Sequence, residues 1–303
     1  MTRSPISATA TFEAARRRLL SIAYRMLGSV AEAEDVVQET WIRWHEAQDL
    51  SLTTPVAWLT TVASRLAIDR LRHLQHQRAT TAVPWLPEPW MDEHAPSPED
   101  AVSMLSDLSY GVLLMLERLS PDERAALLLH EVFDCQYEEI ARTLDKTPVH
   151  CRQLVRRAKE RVQSDRVRRI ADEQVCRETA QEFVAAICRQ DKQAMLQLLA
   201  PDAVVMGNGA AAAQAASSFV SGIMSMELSG TNIACVGING GWGATFLQYG
   251  KIALALSFDM EGPAIRTIYA IAGVAGISDM GRHGHGCPPA VLQLLQEAVT
   301  AMD

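Results

Sequence analysis

The stretch from Tyr137 to Arg169 constrains the fold more than any other part of the chain. Apolar residues recur three and four positions apart on both sides of a short turn at 145–147: Ile140, Ala141, Leu144, then Cys151, Val155, Ala158 and Val162. This spacing buries one face of each of two short helices. Thr147 supplies an N-cap and Pro148 a first-turn proline, so the second helix has a defined start. The stretch therefore predicts a helix-turn-helix.

The exposed face of the second predicted helix is rich in cations and hydrogen-bonding side chains: His150, Arg152, Gln153, Arg156, Arg157 and Lys159. Such a helix suits the major groove of DNA, with its N-terminal side chains at base edges and flanking cations at phosphates. The plainer alternative is a basic helix that is only solvated. The rest of the chain has to decide between the two.

Length and charge bound the class of protein. A chain of 303 residues predicts about two or three domains. The net charge of −8 argues against a nonspecific nucleic-acid coat, but positive charge concentrated in two helices still permits local DNA contact. The six cysteines form no CxxC pair, which predicts reduced thiols. Neither a signal-peptide core nor a long apolar run is present, so we expect a cytoplasmic protein.

Three helices are predicted ahead of the first proline-rich segment. Gly28 ends the first, which starts near Phe12, Ser29 caps the second, and Thr54 and Pro55 open the third. The predicted buried stripe of the second is Ala33, Val37, Thr40, Trp41 and Trp44, and that of the third is Leu59, Val62, Ala63, Leu66 and Ala67. Opposite its stripe, the second helix exposes Asp35, Gln38 and Glu39, which suits a protein partner or else is simply solvated.

Three of these segments together resemble a known family. AEAEDVVQETWIRWHEA, then PVAWLTTVASRLAIDRLR, and later LSPDERAALLLHEVFDCQYEEIA resemble regions 2 and 4 of the extracytoplasmic-function (ECF) sigma factors. These are minimal promoter-specificity subunits of bacterial RNA polymerase. The WLPEP run at 85–89 and the CRQL run at 151–154 resemble the subgroup with a fused SnoaL-like C-terminal domain. The resemblance implies a multidomain fold: two all-α helical domains followed by an α+β SnoaL-like cone.

The resemblance also assigns residues. It implies that Asp35, Gln38 and Glu39 bind core RNA polymerase. It implies that a loop and basic helix recognise the −10 element and hold an extruded base, through Asp49, Ser51, Arg65, Arg70, Arg72, His73, Gln75 and His76. The helix-turn-helix then reads the −35 element through the exposed side chains of its second helix. Neither a catalytic residue nor a cofactor or metal is implied.

The implied domain boundaries are 8–80 for region 2, 81–98 for a Pro/Trp linker, 99–170 for region 4 and 175–303 for the cone. A helix is predicted from Ser97 through Leu116. In the cone, β-branched and aromatic residues predict strands at 232–238, 244–248, 252–258 and 264–271, after a first strand near Val204. Such a cone encloses a pocket, so an unknown small ligand is a possible partner.

The cone departs from its subgroup at two motifs. Asn208 to Ala212 replace an Asp-Gly-Gly-Gly-Lys turn, and Gly273 to Ile277 replace Asn-Pro-Asp-Lys-Leu, so the charges of both are absent. Titratable candidates for catalysis are few and mostly fall at predicted turns: Asp202, Glu227, Lys251, Asp259, Glu261 and Arg266. His283, His285 and Cys287 lie in a glycine-rich tail and provide too few ligands for a convincing metal site.

The sequence thus predicts a sigma factor that binds core polymerase and directs promoter-specific initiation, with its C-terminal domain modulating activity in cis. Two alternatives remain at this point. One is an ordinary helix-turn-helix regulator, which would lack the region 2 motif. The other is a SnoaL-like hydrolase or isomerase fused to a DNA-binding module, which would need an acid-base pair in the cone.

Overall fold

A computed structural model describes residues 5–47, 54–79, 86–90, 110–163, 172–207, 214–226, 228–249 and 251–272. The chain divides into two compact units. The helical unit comprises residues 1–80 and 112–167, and the sheet unit comprises residues 81–111 and 168–303. Within the described residues, no helix is long and apolar enough to cross a membrane.

The helical unit begins with α1 (Pro5–Leu27), α2 (Val30–Glu46) and α3 (Pro55–Ala79). The end of α1 and the start of α2 lie at the predicted residues, Gly28 and Ser29. Gly28 adopts a φ of +67°, which favours glycine, and the Ser29 hydroxyl accepts a hydrogen bond from the Glu32 amide at 3.4 Å. The prediction for α1 was too short, because the helix starts at Pro5 rather than near Phe12.

The buried faces of α2 and α3 differ in part from the predicted stripes. In α2, Val36 is buried, whereas Trp41 is half-buried with its ring edge-on to Phe12 at 4.8 Å. The buried apolar residues of α3 are Leu59, Ala63, Ala67, Ile68 and Leu71, while the predicted Val62 and Leu66 are only half-buried. The reason is that α3 packs on more than one side, against α1 and α2 and also against two later helices of the same unit, at 121–131 and 137–144.

Four helices follow: α4 (Tyr110–Leu116), whose first two residues belong to the sheet unit, and then α5 (Pro121–Glu131), α6 (Tyr137–Leu144) and α7 (Pro148–Gln163) of the helical unit. Of the predicted helix from Ser97 to Leu116, residues 97–109 lie outside the described part. A capping box starts α5: the Ser120 hydroxyl accepts from the Glu123 amide at 3.3 Å, and the Glu123 carboxylate accepts from the Ser120 amide at 3.1 Å.

The helix-turn-helix has the predicted packing. All seven residues of its apolar stripe, from Ile140 to Val162, are buried. Asp145 ends α6 with a φ of +53°, and the Thr147 hydroxyl accepts from the His150 amide at 3.2 Å to start α7. The stripe and the cap together fix which side of α7 faces outward.

The sheet unit contains α8 (Glu173–Cys188), α9 (Lys192–Gln197), β1 (Leu199–Gly207), β2 (Gln214–Ala215) and α10 (Ala216–Ser225). Four longer strands complete it: β3 (Thr231–Ile238), β4 (Gly241–Gln248), β5 (Lys251–Glu261) and β6 (Ala264–Ala272). The strand order is β2-β1-β6-β5-β4-β3. Only the β1–β6 pair is parallel among these pairings. Each of the four predicted later strands is present, which confirms the α+β assignment.

The core of the sheet unit is apolar and closely packed. Phe183 on α8 contacts Phe258 on β5 edge to face, with ring centroids 5.2 Å apart. Gly243 on β4 is needed for close strand approach, because a Cβ there would lie 2.1 Å from the Leu256 carbonyl oxygen. The same core includes Phe219, Phe246, Leu256 and Ile268.

Residues 86–90 of the proline-rich segment belong to the sheet unit. The Trp90 amide donates to the Asn239 side-chain oxygen at 2.9 Å, and the Asn239 amide donates to the Trp90 carbonyl at 3.0 Å. Tyr110 donates its hydroxyl to the Pro87 carbonyl, and its ring lies 4.9 Å from that of Tyr269. The described part of the segment is therefore anchored to the turn between β3 and β4 by a reciprocal pair of hydrogen bonds.

Candidate nucleic-acid and protein interface

The outward face of α7 presents the predicted DNA-facing side chains. His150, Arg152, Gln153, Arg156 and Arg157 are exposed and Lys159 is half-buried. The buried stripe on the opposite side includes Cys151, Val155 and Ala158. Because polar and apolar positions occupy separate sides of the helix, the whole cationic face is available to a partner.

Neighbouring groups orient part of this cationic face. The Arg152 guanidinium lies 5.0 Å from the centre of the Tyr137 ring, which favours a cation–π contact. Arg156 pairs with Glu160 at 3.0 Å, and Lys159 pairs with Glu131 at 2.9 Å. These are exposed pairs worth about 0.2–1 kcal/mol each, so another anion can replace the carboxylates at small cost.

A second surface lies on α2. Asp35 and Gln38 are exposed and Glu39 is half-buried, paired with Arg43 at 3.0 Å. Ile42 continues the same helical stripe and is 46% exposed. The sequence reading missed Ile42, although its spacing of three and four residues from Glu39 and Gln38 places it on that face. An apolar side chain beside acidic ones is the composition expected of a protein-binding surface.

The basic face of α3 differs from that of α7 in what it contacts. Arg65 donates from Nε to the Thr143 carbonyl at 3.1 Å and from Nη2 to the Arg142 carbonyl. Both carbonyls belong to the last turn of α6, whose backbone acceptors lack helical partners and favour a cation. Arg65 therefore binds the C-terminal end of the first helix of the helix-turn-helix.

Further along α3, Arg72 lies between two carboxylates, at 3.0 Å from Asp69 on its own helix and 2.8 Å from Asp122 on α5. The side-chain amide of Gln75 donates to the Leu119 carbonyl at 3.4 Å. These bonds, like those of Arg65, join α3 to the region 4 helices.

The remaining predicted −10 residues contact side chains of α2 or α3, are exposed, or lie outside the described part. Arg70 pairs with Glu32 on α2, and this hydrogen bond raises the pKa of the Arg70 guanidinium above its ordinary value. His73 lies 2.9 Å from the Gln77 amide nitrogen, and His76 is exposed. Asp49 and Ser51, predicted to hold an extruded base, lie outside the described residues.

Asp122 is the most heavily paired carboxylate on this surface. It lies 2.8 Å from Arg72 and 3.1 Å from Lys146, which belongs to the turn of the helix-turn-helix. Partial burial acts to raise the pKa of Asp122, but the hydrogen bonds from Lys146 and Arg72 outweigh it and the net shift is downward. Asp122 is therefore held as a carboxylate between one cation from each predicted DNA-binding element.

In the sheet unit, the titratable candidates lie mostly at the surface. Exposed Arg266 pairs with Glu261 at 2.5 Å and with Asp202 at 3.3 Å. Lys251 is exposed and Asp259 is half-buried. The described part of this unit thus presents surface ion pairs rather than an acid-base pair lining an interior site.

Several other candidates of the sheet unit lie outside the described residues: Glu227, the two altered motifs at 208–212 and 273–277, and the tail residues His283, His285 and Cys287. The described residues contain no group of His, Cys, Asp and Glu side chains that could hold a metal ion.

Comparisons with known proteins match both helical segments. The family model of sigma-70 region 2 matches residues 11–77, and that of sigma-70 region 4 matches residues 111–162. The chain is 39% identical over 199 residues to the ECF RNA polymerase sigma factor SigJ of Mycobacterium tuberculosis strain H37Rv. That match covers 65% of this chain and 64% of SigJ, slightly less than two thirds of the relative.

Two further matches extend the comparison. The chain is 32% identical over 201 residues to the probable ECF RNA polymerase sigma factor SigI of M. tuberculosis strain CDC 1551, covering 65% of this chain and 68% of SigI. The crystal structure of SigJ aligns with a TM-score of 0.66 at 29% identity. The structural alignment covers 87% of this chain and 96% of the SigJ chain, so it extends beyond the two helical segments.

Proposed function

The chain belongs to the ECF group of the sigma-70 family of RNA polymerase sigma factors, and from this premise we propose that it binds core RNA polymerase and directs it to specific promoters. The observation that carries the proposal is the presence of two chemically different surfaces in one helical unit. The acidic face of α2 has an apolar residue beside it, and the outward face of α7 is cationic. A helix-turn-helix regulator alone has no use for the region 2 segment, so the alternative is not favoured.

The α2 surface is the proposed polymerase contact. Asp35 and Glu39 supply negative charge that steers a basic partner, and exposed Ile42 supplies apolar area at the same place. Since all three side chains are at the surface, the chain has no need of them for folding. They are therefore available to contact a partner.

The α7 surface is the proposed −35 contact. Arg152 and Gln153 lie in its first two turns, where a recognition helix meets base edges, and Arg157 lies where a phosphate contact is expected. The proposed −10 contact is the basic face of α3, including Arg65, Arg72 and Gln75. Sigma factors of this class are expected to help open the promoter. For this, the basic face of α3 has to reach unpaired bases.

The direct test is in vitro transcription with purified core RNA polymerase on the DNA upstream of the chain's own gene. We expect a specific start site that depends on the chain. The double variant Asp35→Lys/Glu39→Lys should lose co-purification with core polymerase while retaining its far-UV circular dichroism.

A matched control is available on α8. Glu178 and Glu182 have the same spacing as Asp35 and Glu39, and both are exposed. Glu178→Lys/Glu182→Lys makes the same charge change away from the proposed contact and should leave core binding intact. Unchanged core binding by the α2 variant would show that its acidic face is not the polymerase contact.

The sheet unit is the proposed regulator of the sigma regions in cis. Its support is the anchoring of residues 86–90, which connect the two helical regions in the chain, to the Asn239 turn. A fused domain acts at high effective concentration, so a few hydrogen bonds suffice to restrain the connecting segment. Binding of a small ligand by this domain remains a prediction from the sequence.

Asn239→Gly tests this role in the full chain. Glycine removes the side-chain acceptor of the Trp90 amide and tolerates the φ of +53° at this position. We expect transcription to change relative to the unaltered chain. Gln248→Ala, which removes a hydrogen bond to Thr231 inside the sheet, is the control. Equal transcription by both variants and the unaltered chain would leave the Trp90 contact without a regulatory role.

A further inference from the structure

One exposed apolar side chain lies on the otherwise polar face of α7. Val149 is the second residue of the helix and is 61% exposed. Arg152, Gln153 and Arg156 follow it at three, four and seven positions, and all three are exposed. Residues at these spacings share one side of a helix. Val149 therefore belongs to the proposed DNA-facing surface and not to the buried stripe.

The packing of α7 does not account for a valine at this position. The opposite side of the helix is already packed through Cys151, Leu154 and Val155, which are all buried. A β-branched residue is also less favourable in a helix than alanine. Val149 thus contributes little to the fold, and its methyl groups are available to a partner.

The surroundings of Val149 select one kind of partner. Its exposed neighbours Arg152 and Arg156 are cationic, and together they attract a polyanion. In the major groove of DNA, the apolar group within reach of a side chain is the C5-methyl group of thymine, which lies among the acceptors that arginine binds. A small aliphatic side chain among cations is therefore complementary to a thymine in duplex DNA.

We propose that Val149 reads a thymine of the −35 element through contact with its C5-methyl group. The inference rests on the proposed function of α7 as the −35 contact and adds the base that its first turn recognises. Val149 and Arg152 are about 4.5 Å apart along the helix axis, and successive base pairs are about 3.4 Å apart. The thymine therefore lies within about two base pairs of the position at which Arg152→Ala relaxes selection.

Deoxyuridine isolates this contact, because uracil lacks the C5-methyl group of thymine and keeps its hydrogen-bonding groups. The assay is single-round transcription by the full chain with purified core RNA polymerase, from two promoter templates that compete in one tube and give transcripts of different length. One template carries uracil in place of a single −35 thymine, and each thymine of both strands is replaced in turn. We expect uracil to lower the relative transcript yield about fourfold at one position, the effect of removing one buried methyl group.

Val149→Ala shortens the side chain, and Val56→Ala is its matched control. Both valines are exposed and are the second residue of a helix, directly after a proline. Alanine favours a helix at either position, so both variants should fold. We expect Val149→Ala to reduce the preference for thymine over uracil to below about twofold, and Val56→Ala to keep it at about fourfold. Any effect of Val56 on −10 recognition cancels in the ratio, because both templates carry the same −10 element.

Three results would overturn the contact. Equal yields from thymine and uracil templates at every position would show that no C5-methyl group is read. A thymine preference that Val149→Ala leaves unchanged would assign the methyl contact to another side chain. An unchanged preference with a lower yield from all templates alike would instead place Val149 against the polymerase.

A second source of the same methyl group is 5-methylcytosine. The same competition is therefore run with each −35 cytosine replaced by 5-methylcytosine. A response that depends on Val149 and occurs only at a methylated cytosine would overturn the assignment to thymine.

Failure of the proposed function gives a different result. If the unaltered chain produces no specific start site from the unaltered template, promoter-directed initiation is wrong, and this inference with it. Specific initiation with no response to uracil at any position overturns the thymine contact alone.

Discussion

The two helices proposed to meet promoter DNA, α3 and α7, have similar side chains but different surroundings. On α7, Arg152, Arg156 and Arg157 remain exposed, and Arg156 binds Glu160 only one turn away; Lys159, paired with Glu131 on α5, is the exception. Those of α3 bind groups far away in the chain, such as Asp122 and the end of α6. A basic helix face is therefore not by itself an available DNA-binding surface. Its availability depends on whether its partners are local, and easily exchanged, or belong to another domain.

The largest expected effect would come from α7. Replacing Arg152 and Arg156 by alanine should cost about 1–3 kcal/mol for each side chain that contacts a base and relax promoter selection at that position. Competitive transcription from promoters altered at single −35 positions measures the change. Arg189→Ala, directly after α8 in the sheet unit, is the control, because it removes an exposed arginine paired with Glu182 at 2.7 Å. Unaltered promoter selection by the alanine variants would show that α7 does not read the promoter, and α3 and α7 could then not be compared as two DNA-binding helices.

The next effect concerns how α7 begins. Thr147→Ala removes the acceptor of the His150 amide and should cost about 1 kcal/mol, or roughly fivefold faster opening of the first turn. Hydrogen exchange of the first amides of α7 measures it. Thr147→Ser keeps a hydroxyl and should exchange at nearly the original rate. If the alanine variant also exchanges at that rate, the start of α7 is set by its tertiary packing and not by its local cap.

A smaller effect separates phosphate contacts from base contacts. Exposed Arg157, for which the structure gives no ion pair among the described residues, should contribute about 0.9 to the salt slope of DNA binding. A fourfold rise in salt concentration would then weaken DNA binding about 3.5-fold less in Arg157→Ala than in the unaltered chain. Fluorescence anisotropy of the free chain with labelled promoter DNA gives the slope. An unchanged slope would mean that Arg157 does not touch a phosphate.

The smallest effect is expected for α3 in the free chain and sharpens the comparison most directly. Arg72→Ala removes the same charge as Arg157→Ala, but Arg72 is already paired with Asp69 and Asp122. Its loss should change free-chain DNA affinity by about twofold or less, within the range of exposed ion pairs. The same anisotropy titration compares both variants. Equal losses would indicate that α3 is as accessible to DNA as α7.

Much of the fold was predictable because its determinants are local. The capping box at Ser120 and the stripe from Ile140 to Val162 act over three or four residues, a distance visible in the sequence. The later strands were found for the same reason, through runs of β-branched and aromatic residues. The expected boundaries of the three domains and the linker remain predictions; the structure groups the chain into two compact units.

The candidate site was predictable only in part. The sequence indicated which residues of α3 and α7 are basic, but it missed Ile42 on the α2 surface. It also gave the buried stripe of α3 incorrectly, because the contacts of α3 with region 4 are not encoded in its own periodicity.

What the sequence determined by itself is the family, the helix ends, the strand positions and the side of α7 that faces outward. The tertiary structure decided which of the basic side chains are occupied. Arg65 and Arg72 find their partners 78 and 50 residues away, across the contact between regions 2 and 4 within the helical unit. The physical reason is one of range. Caps and amphipathic stripes depend on neighbours within one or two helical turns, whereas an ion pair between domains depends on how the whole chain brings two surfaces together.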